Sequence, residues 1–134
     1  MERITLNSVS VGKQVRRVPH NNSNMRMHWT VKNQWKHAWQ KEIEMQIMIN
    51  RKKLGKLPLI KPEIKFIFYM CKPYDLDGAY NAAKPLLDSL KIWKSKNNPG
   101  MGIITDDDDK NLSYCVLTKK VYSVKEERVE LIIN

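Results

Sequence analysis

The fold is decided by one continuous stretch, residues 63–90, which reads EIKFIFYMCKPYDLDGAYNAAKPLLDSL. Its first part, residues 63–71, alternates as a strand does, and apolar residues fall on both of its faces. A strand that is apolar on both faces is usually covered on both sides, so this pattern predicts a central strand of a sheet. One face carries Ile64, Phe66, Phe68 and Met70, and the other carries Ile67 and Tyr69.

The second part of this stretch predicts a helix, from about residue 79 to residue 93. Pro85 is awkward within it, because proline removes one backbone donor and is comfortable only in the first turn of a helix. Either the helix proper starts near Ala82 or it is kinked at Pro85. The residues that this helix is expected to bury are Ala83, Leu86, Leu87 and Leu90.

The chain before residue 63 predicts a short strand, a loop and a long helix. Residues 4–6 alternate as a strand, and residues 12–24, rich in basic residues and asparagine, indicate an exposed basic loop. Helical periodicity begins at Thr30, a candidate N-cap, and continues to about Lys53, after which Gly55 ends the helix. Its apolar stripe is Val31, Trp35, Trp39, Ile43 and Ile47.

The chain after residue 93 predicts a loop over residues 94–102 and then two closing strands. These strands, residues 112–122 and 128–133, have the appearance of a hairpin. The predicted order is β-α-β-α-β-β. We therefore expect residues 1–134 to form one α+β domain with a mixed sheet of about four strands and two helices.

Positive charge is concentrated in the first half of the chain. The formal net charge is +10, and residues 1–60 carry twelve Lys or Arg against three Glu. Such a surface attracts polyanions, which favours nucleic acid as a partner. The alternative interpretation is a merely lysine-rich protein from a genome biased toward A and T.

Other sequence features limit the compartment and the class of protein. The two cysteines, Cys71 and Cys115, form no CxxC pair and lack the histidine spacing of a zinc site. The opening residues, MERITLNSVSVG, lack the apolar core of a signal peptide, and no stretch is apolar enough for a membrane span. These features predict a cytoplasmic protein with reduced thiols and no membrane partner.

Two carboxylates follow the central strand, in the triplet Asp75-Leu76-Asp77. In an extended segment, residues two apart point the same way, so both acids would face one cation while Leu76 turns into the core. Mg²⁺ usually takes one or two carboxylates, with water and substrate phosphate in its remaining positions. Such triplets are common in turns, and a solvated loop is the alternative interpretation.

Residues 106–109 form a run of four aspartates, the one concentrated negative patch in a basic chain. A solvated acidic turn before a strand would account for most of such a run. Together with the triplet, however, it suggests a small anionic pocket for Mg²⁺ within a wide cationic surface, as a nuclease requires. Lys84, seven residues past Asp77, is placed to neutralise the same phosphate.

An ordered set of segments resembles the RusA-type endodeoxyribonucleases, the Holliday junction resolvases of phages, prophages and bacteria. The segments are NMRMHW at residues 24–29, the strand leading to the DLD triplet, KPLLDSL at residues 84–90 and IITDD at residues 103–107. The resemblance implies a homodimeric, Mg²⁺-dependent enzyme, with Mn²⁺ as a substitute, that cuts four-way DNA junctions symmetrically. It also implies that Asp75, Asp77 and one later aspartate are metal ligands and that Lys84 is catalytic or contacts phosphate.

The third ligand is assigned by counting along the chain. Counting forward from Ile104 favours Asp107, which we predict to be the third metal ligand, with Asp106 as an alternate. Counting back from Leu112 favours Asp109 instead.

Two departures from the family pattern bear on activity. Family members commonly have an asparagine directly after the triplet, where this chain has Gly78, and Asn81 is a displaced candidate. The spacing from Asp77 to Lys84 is also about one helical turn longer than in the shorter members.

The resemblance and the charge pattern together predict a set of DNA contacts and leave three functions open. The leading hypothesis is a junction-resolving endonuclease. One alternative is a catalytically impaired, basic DNA-binding protein, and another is a metal nuclease for other branched or single-stranded DNA. A Ca²⁺ module is disfavoured, because the aspartate run lacks the spacing of an EF-hand. The predicted DNA contacts are Arg16, Arg17, Asn24, Arg26, His28 and Lys72.

Overall fold

A computed structural model describes residues 1–21, 28–91, 101–106 and 108–134 of the chain. In these residues two helices and six strands follow one another, with a short 3₁₀ turn before the last strand. The elements are β1 (Glu2–Leu6), β2 (Val9–Val11), β3 (Gln14–Arg16), α1 (Trp29–Leu54), β4 (Glu63–Met70), α2 (Leu76–Leu90), β5 (Ser113–Lys120), the 3₁₀ turn (Val124–Glu126) and β6 (Arg128–Ile133).

The main sheet has four strands in the order β1-β6-β4-β5. β4 pairs in parallel with β5 and antiparallel with β6, and β6 pairs antiparallel with β1. The predicted single-domain α+β fold with a mixed four-stranded sheet is therefore confirmed, and so is the central position of β4. The prediction that residues 12–24 form a loop is wrong in its first part, because residues 14–16 form β3. This strand pairs with β2 in a small second sheet.

The predicted hairpin of the two closing strands is wrong. β6 lies between β1 and β4, whereas β5 lies at the sheet edge beside β4. Burial explains the difference, since residues 129–133 are all buried and need neighbours on both sides, while β5 alternates with exposed residues. The parallel β4–β5 pair requires a crossover connection, and α2 supplies it.

The bounds of both helices differ from the predicted ones. α1 begins at Trp29, and its N-cap is His28, two residues before the predicted N-cap Thr30; it ends at Leu54 with Gly55 as its C-cap, as expected. α2 begins at Leu76 and continues through Pro85, so neither a start at residue 79 nor one near residue 82 is correct. An interior proline costs about 3 kcal/mol, and the burial of the apolar face of α2 offsets that cost. The predicted end of α2 near Trp93 lies outside the described residues.

Both helices pack on one face of the main sheet. Residues of β4, Phe66 and Phe68 among them, form a single buried cluster with Trp39 and Ile43 of α1 and with Leu86 of α2. The predicted buried residues of the two helices belong to it, except for Val31, which is exposed. None of the helices in the described ranges is both long and apolar enough to cross a bilayer.

A buried carboxylate fastens α1 to the turn after β1. Glu42, which is almost fully buried, accepts hydrogen bonds from the Asn7 backbone N–H at 2.7 Å and from Gln46 Nε2 at 3.0 Å. A hydrogen bond to a charged group contributes about 1.5–3 kcal/mol, so this contact stabilises the join between the helix and the sheet.

Replacing Glu42 by alanine is expected to lower the free energy of unfolding by about 1–3 kcal/mol, because the Asn7 N–H loses its partner. Urea denaturation followed by circular dichroism measures the change. Glu44→Ala removes the same charge from the same helix and is expected to cost less than about 0.5 kcal/mol. Equal losses in the two variants would show that charge, and not the contact with Asn7, carries the effect.

Candidate metal and nucleic-acid site

Asp75 and Asp77 lie in the first turn of α2. Asp75 is the N-cap, and its Oδ1 accepts the Gly78 N–H at 2.8 Å. The expectation that the triplet is extended and that Leu76 enters the core is therefore wrong, since 68% of the Leu76 surface is exposed. Aspartate is among the preferred N-cap residues, and the cap starts the helix three residues earlier than the apolar pattern indicates.

Both carboxylates of this pair, Asp75 and Asp77, are exposed. Negative charge in the first turn is stabilised by the positive end of the helix dipole. Each carboxylate has two oxygens with about four lone-pair sites, so the cap on Asp75 leaves acceptor capacity for a cation or for water. The pair thus supplies the hard anionic oxygen that Mg²⁺ prefers.

Three of the predicted DNA contacts converge on one groove of about 590 Å³. Arg16 and Arg17 come from the end of β3 and the residue after it, and Lys72 comes from the connection between β4 and α2. Tyr74, which directly precedes Asp75 in the chain, also lines this basic groove, whereas Asp75 and Asp77 are not among its lining residues. Its other lining residues are Val15, Val18, Met70, Cys71, Val124 and Glu127.

Tyr74 joins the two walls of the basic groove. Its hydroxyl donates to the Pro19 carbonyl oxygen at 2.9 Å and accepts from Arg16 Nη2 at 3.2 Å. Arg16 Nε also donates to the Val18 carbonyl oxygen at 3.2 Å. The segment after β3 is therefore held against the segment that leads into α2.

The 3₁₀ turn before β6 closes the far side of the basic groove. Arg17 Nη1 donates to the Lys125 carbonyl oxygen at 3.0 Å, and the Cys71 N–H donates to Glu127 Oε2 at 2.9 Å. The first bond holds Arg17 in place through its guanidinium, and the second ties Cys71, directly after β4, to the residue that follows the 3₁₀ turn. Lys72, between the two walls, is exposed.

His20 lies behind the basic groove and is neutral at pH 7. Burial, together with the positive charge of Arg16, lowers its pKa from 6.5 to about 4. Its ring meets the ring of Trp35 edge-on, with 5.0 Å between the centroids. His20 thus belongs to the packing between the loop after β3 and α1.

Asp106 lies near the C-terminal end of α2, away from the acid pair. Its Oδ1 is 3.8 Å from Lys91 Nζ, which is 3.2 Å from Asp88 Oδ1. Asp88 is also 3.1 Å from Lys84 Nζ. Asp88 lies eleven residues beyond Asp77, which is roughly 16 Å along a helix. The structure therefore does not bring Asp106 to the carboxylates of the triplet.

The other predicted acids are placed as follows. Asp108 closes the turn before β5, where its Oδ1 accepts the Asn111 N–H at 3.1 Å, and Asp109 is exposed in that turn. Asp107 lies outside the described residues, and its role as third ligand stays a prediction. Within the described parts of the chain, no three His, Cys, Asp or Glu side chains are grouped closely enough to hold a metal ion together.

The remaining predicted DNA contacts fall near the start of α1. Asn24 and Arg26 lie outside the described residues. His28 is exposed, accepts the Thr30 N–H at its Nδ1 as the helix cap, and lies beside the exposed ring of Trp29, with centroids 5.8 Å apart. The His28 side chain therefore caps α1 and is also exposed to solvent.

Sequence reasoning missed two residues of this region. The sequence predicts only a packing role for Tyr74, because a lone tyrosine before an acidic triplet carries no motif; the residue does pack against the core, but its hydroxyl also binds both walls of the groove. Asn21 is adjacent to Asp75 only in three dimensions, where both side chains flank Gly78. No spacing in the sequence connects residue 21 with residue 78.

No family model, curated protein or solved structure is similar enough to this chain to count as a match. The interpretation of the site therefore rests on its own geometry.

The stability of the protein is expected to fall as the pH drops from about 6.5 to about 4. In this range the unfolded chain binds a proton at His20 that the folded chain does not, because the folded pKa is the lower one. Above about pH 6.5 the contribution of His20 is fully present. Thermal unfolding midpoints measured between pH 4 and pH 8 follow the change.

His20→Phe keeps an aromatic ring against Trp35 and removes the titrating group, so the pH dependence in this window should become shallower. His37→Phe, an exposed position on α1, serves as the control and should leave the slope as it is. An equal slope in His20→Phe and the wild type would exclude His20 as its source.

Proposed function

We propose that this protein is a Mg²⁺-dependent endodeoxyribonuclease that cuts branched DNA, with the four-way junction as its substrate. The observation that carries the proposal is the basic groove lined by Arg16, Arg17 and Lys72, whose lining residue Tyr74 directly precedes Asp75 in the chain. A nuclease needs cations that bind the DNA backbone next to carboxylates that hold the metal. The resemblance to the RusA-type resolvases supports the same function independently of the groove.

The basic groove is suited to a phosphodiester backbone. Arg17 and Lys72 contribute positive charge from two separate segments, and Val15 and Val124 add exposed apolar surface beside them. Arginine and lysine at such a surface bind phosphates in any sequence, which places the backbone without reading its bases. The substrate is therefore recognised by shape and charge.

Asp75 and Asp77 are the proposed ligands of Mg²⁺, with Asp107 as the third. The donor set fits the ion, because one or two carboxylates suffice when water and substrate phosphate complete the coordination. When bound, the metal lowers the pKa of a water and offsets charge on the phosphate. The cap contact from Gly78 to Asp75 keeps one carboxylate in a fixed direction.

Lys84 is the proposed phosphate-neutralising residue. It lies seven residues after Asp77, almost two helical turns, so both residues are on the same face of α2. More than half of its side-chain surface is exposed while it pairs with Asp88. The ion pair with Asp88 limits the positions that the Lys84 ammonium takes on this face of α2.

Symmetric cleavage of a junction calls for two active sites related by a twofold axis, so the proposed enzyme is a homodimer. It acts in the cytoplasm, where the free thiols of Cys71 and Cys115 remain reduced.

One observation favours a second candidate, a DNA-binding protein without catalysis. In the part of the chain that the structure describes, no third acidic, histidine or cysteine side chain joins Asp75 and Asp77 in a group that could hold a metal ion, and Gly78 stands where the resembling family has asparagine. The groove would then bind DNA in the same manner. Cleavage assays separate the two candidates.

Asp75→Asn and Asp77→Asn are each expected to lower the Mg²⁺-dependent cleavage of a synthetic four-way junction by about 100-fold or more. Asparagine is as good an N-cap as aspartate, so Asp75→Asn keeps α2 while it removes the negative charge. A labelled junction, resolved on a denaturing gel over a range of Mg²⁺ concentrations, gives the rate.

Asp108→Asn is the matched control, since it removes one charge from the aspartate run at a residue that closes a turn, and it should cleave at close to the wild-type rate. A wild type that binds the junction without cutting it would establish the non-catalytic candidate. Equal rates on flap or single-stranded DNA would instead assign a different substrate to the same site.

Lys72→Ala is expected to weaken DNA binding uniformly across sequences and to reduce the slope of log K against log salt by about 1, the loss of one phosphate contact. Fluorescence anisotropy with a labelled junction in Ca²⁺, between 50 and 300 mM salt, measures the slope. Lys53→Ala, in the last turn of α1, is the control of equal charge. If both variants change the slope equally, the basic groove is not the DNA-binding surface.

A further inference from the structure

The space beside Gly78 in the first turn of α2 is filled by another residue. A Cβ atom built at Gly78 would lie 2.5 Å from Asn21 Nδ2, 3.3 Å from Asn21 Cγ and 2.9 Å from Asp75 Oδ1. Contacts below about 3 Å are repulsive, so a side chain at residue 78 would displace the Asn21 amide. Glycine at this position therefore admits Asn21 to the end of the helix.

The Asn21 amide and the Asp75 carboxylate flank the same point from two sides. Both are within 3 Å of the position that the missing Cβ would take, and the nearest atom of Asn21 is a hydrogen-bond donor. The carboxylate also holds the Gly78 N–H at 2.8 Å. Asp75 Oδ1 thus accepts a backbone donor, and the Asn21 amide lies near the same point beside Gly78.

The segment that carries Asn21 is anchored in the fold. Val18 and Pro19 are buried, and the Pro19 carbonyl oxygen accepts the Tyr74 hydroxyl at 2.9 Å. His20 packs edge-on against Trp35. Packing and hydrogen bonding thus fix the three residues that directly precede Asn21, namely Val18, Pro19 and His20. These residues hold Asn21 beside Gly78.

We propose that Asn21 is a positioning residue of the acid pair: its amide, admitted by Gly78, orients the Asp75 carboxylate and thereby sets the affinity of Asp75 and Asp77 for a divalent cation. This inference rests on the proposed function for the purpose of that cation. Its geometry stands on the packing of Asn21 against Gly78 alone. An amide beside a carboxylate restricts its rotation, which lowers the entropy lost when a cation binds.

A double-mutant cycle tests the placement of Asn21 without any assay of activity. The φ angle of Gly78 lies outside the left-handed region, and alanine is the better helix former, so Gly78→Ala would ordinarily stabilise α2. We expect Gly78→Ala to lower the thermal unfolding midpoint more in the wild-type background than in the Asn21→Ala background, because only the contact with Asp75 Oδ1 remains in the latter. An equal change in the two backgrounds overturns the placement.

Binding of Mn²⁺ to the full chain tests the role of Asn21. Asn21→Asp is isosteric and puts a third carboxylate beside Asp75, so the Mn²⁺ dissociation constant should fall by about 10-fold or more at 0.15 M salt. Asn21→Leu, with a similar volume and no polar group, should raise the constant several-fold. Titration calorimetry, or the loss of the free Mn²⁺ signal in electron paramagnetic resonance, gives the constants.

Asn50→Asp is the matched control. It makes the same chemical change near the C-terminal end of α1, where the Asn50 amide donates to the Gln46 carbonyl oxygen, and should leave the constant unchanged. If Asn21→Asp and Asn50→Asp bind Mn²⁺ equally, the inference is overturned, while cleavage that depends on Asp75 keeps the proposed function. If Mn²⁺ binding responds to Asn21→Asp and the wild type cuts no DNA, the proposed function fails and the inference stands.

Discussion

The hydrogen bond from the Gly78 N–H to Asp75 Oδ1, at 2.8 Å, is the contact on which the arrangement of the site depends. This cap marks the end of the connection after β4 and the start of α2 at Leu76. The crossover helix therefore begins at the edge of the buried core. The same contact keeps Asp75 at the surface and places Asp77 in the first helical turn. Because α2 is the connection between two parallel strands, the position of its first turn also determines where β5 runs beside β4.

The basic groove follows from the same arrangement. β4 ends one residue before Cys71, and the few residues that lead to the cap must leave the sheet beside the loop after β3. Tyr74 fixes the contact between this connection and the loop after β3, because its hydroxyl donates to the Pro19 carbonyl oxygen and accepts from Arg16. Cations that are more than fifty residues apart in sequence are thereby brought to one surface, whose lining includes Tyr74, the residue directly before Asp75.

Those parts of the structure that depend on local pattern were predictable. The two apolar faces of β4 and the buried stripe of α1 from Trp35 onward are properties of periodicity, and both are confirmed. Strand pairing was not predictable, because alternation identifies the faces of β5 and β6 but not their neighbours. The prediction that Asp75 lies in an extended triplet is wrong for a related reason. A carboxylate after a strand is equally suited to an extended segment and to a helix cap. The free N–H groups in the first turn of α2 decide in favour of the cap.

The charges along α2 give the two acidic regions of the chain different physical roles. Asp75 and Asp77 lie at the positive end of the helix dipole, and Lys91 follows its negative end, so each charge is stabilised where it is. Lys91 is largely buried and is balanced by Asp88 and Asp106, and the backbone of residues 101–104 is bonded to the same end of the helix through Ser89, Leu90 and Lys91. The first aspartate of the run therefore has a sufficient structural reason to be acidic. Asp75 and Asp77 at the other end form no ion pair of that kind among the residues that the structure describes, and the role that we propose for their charge is to hold a divalent cation beside a DNA phosphate.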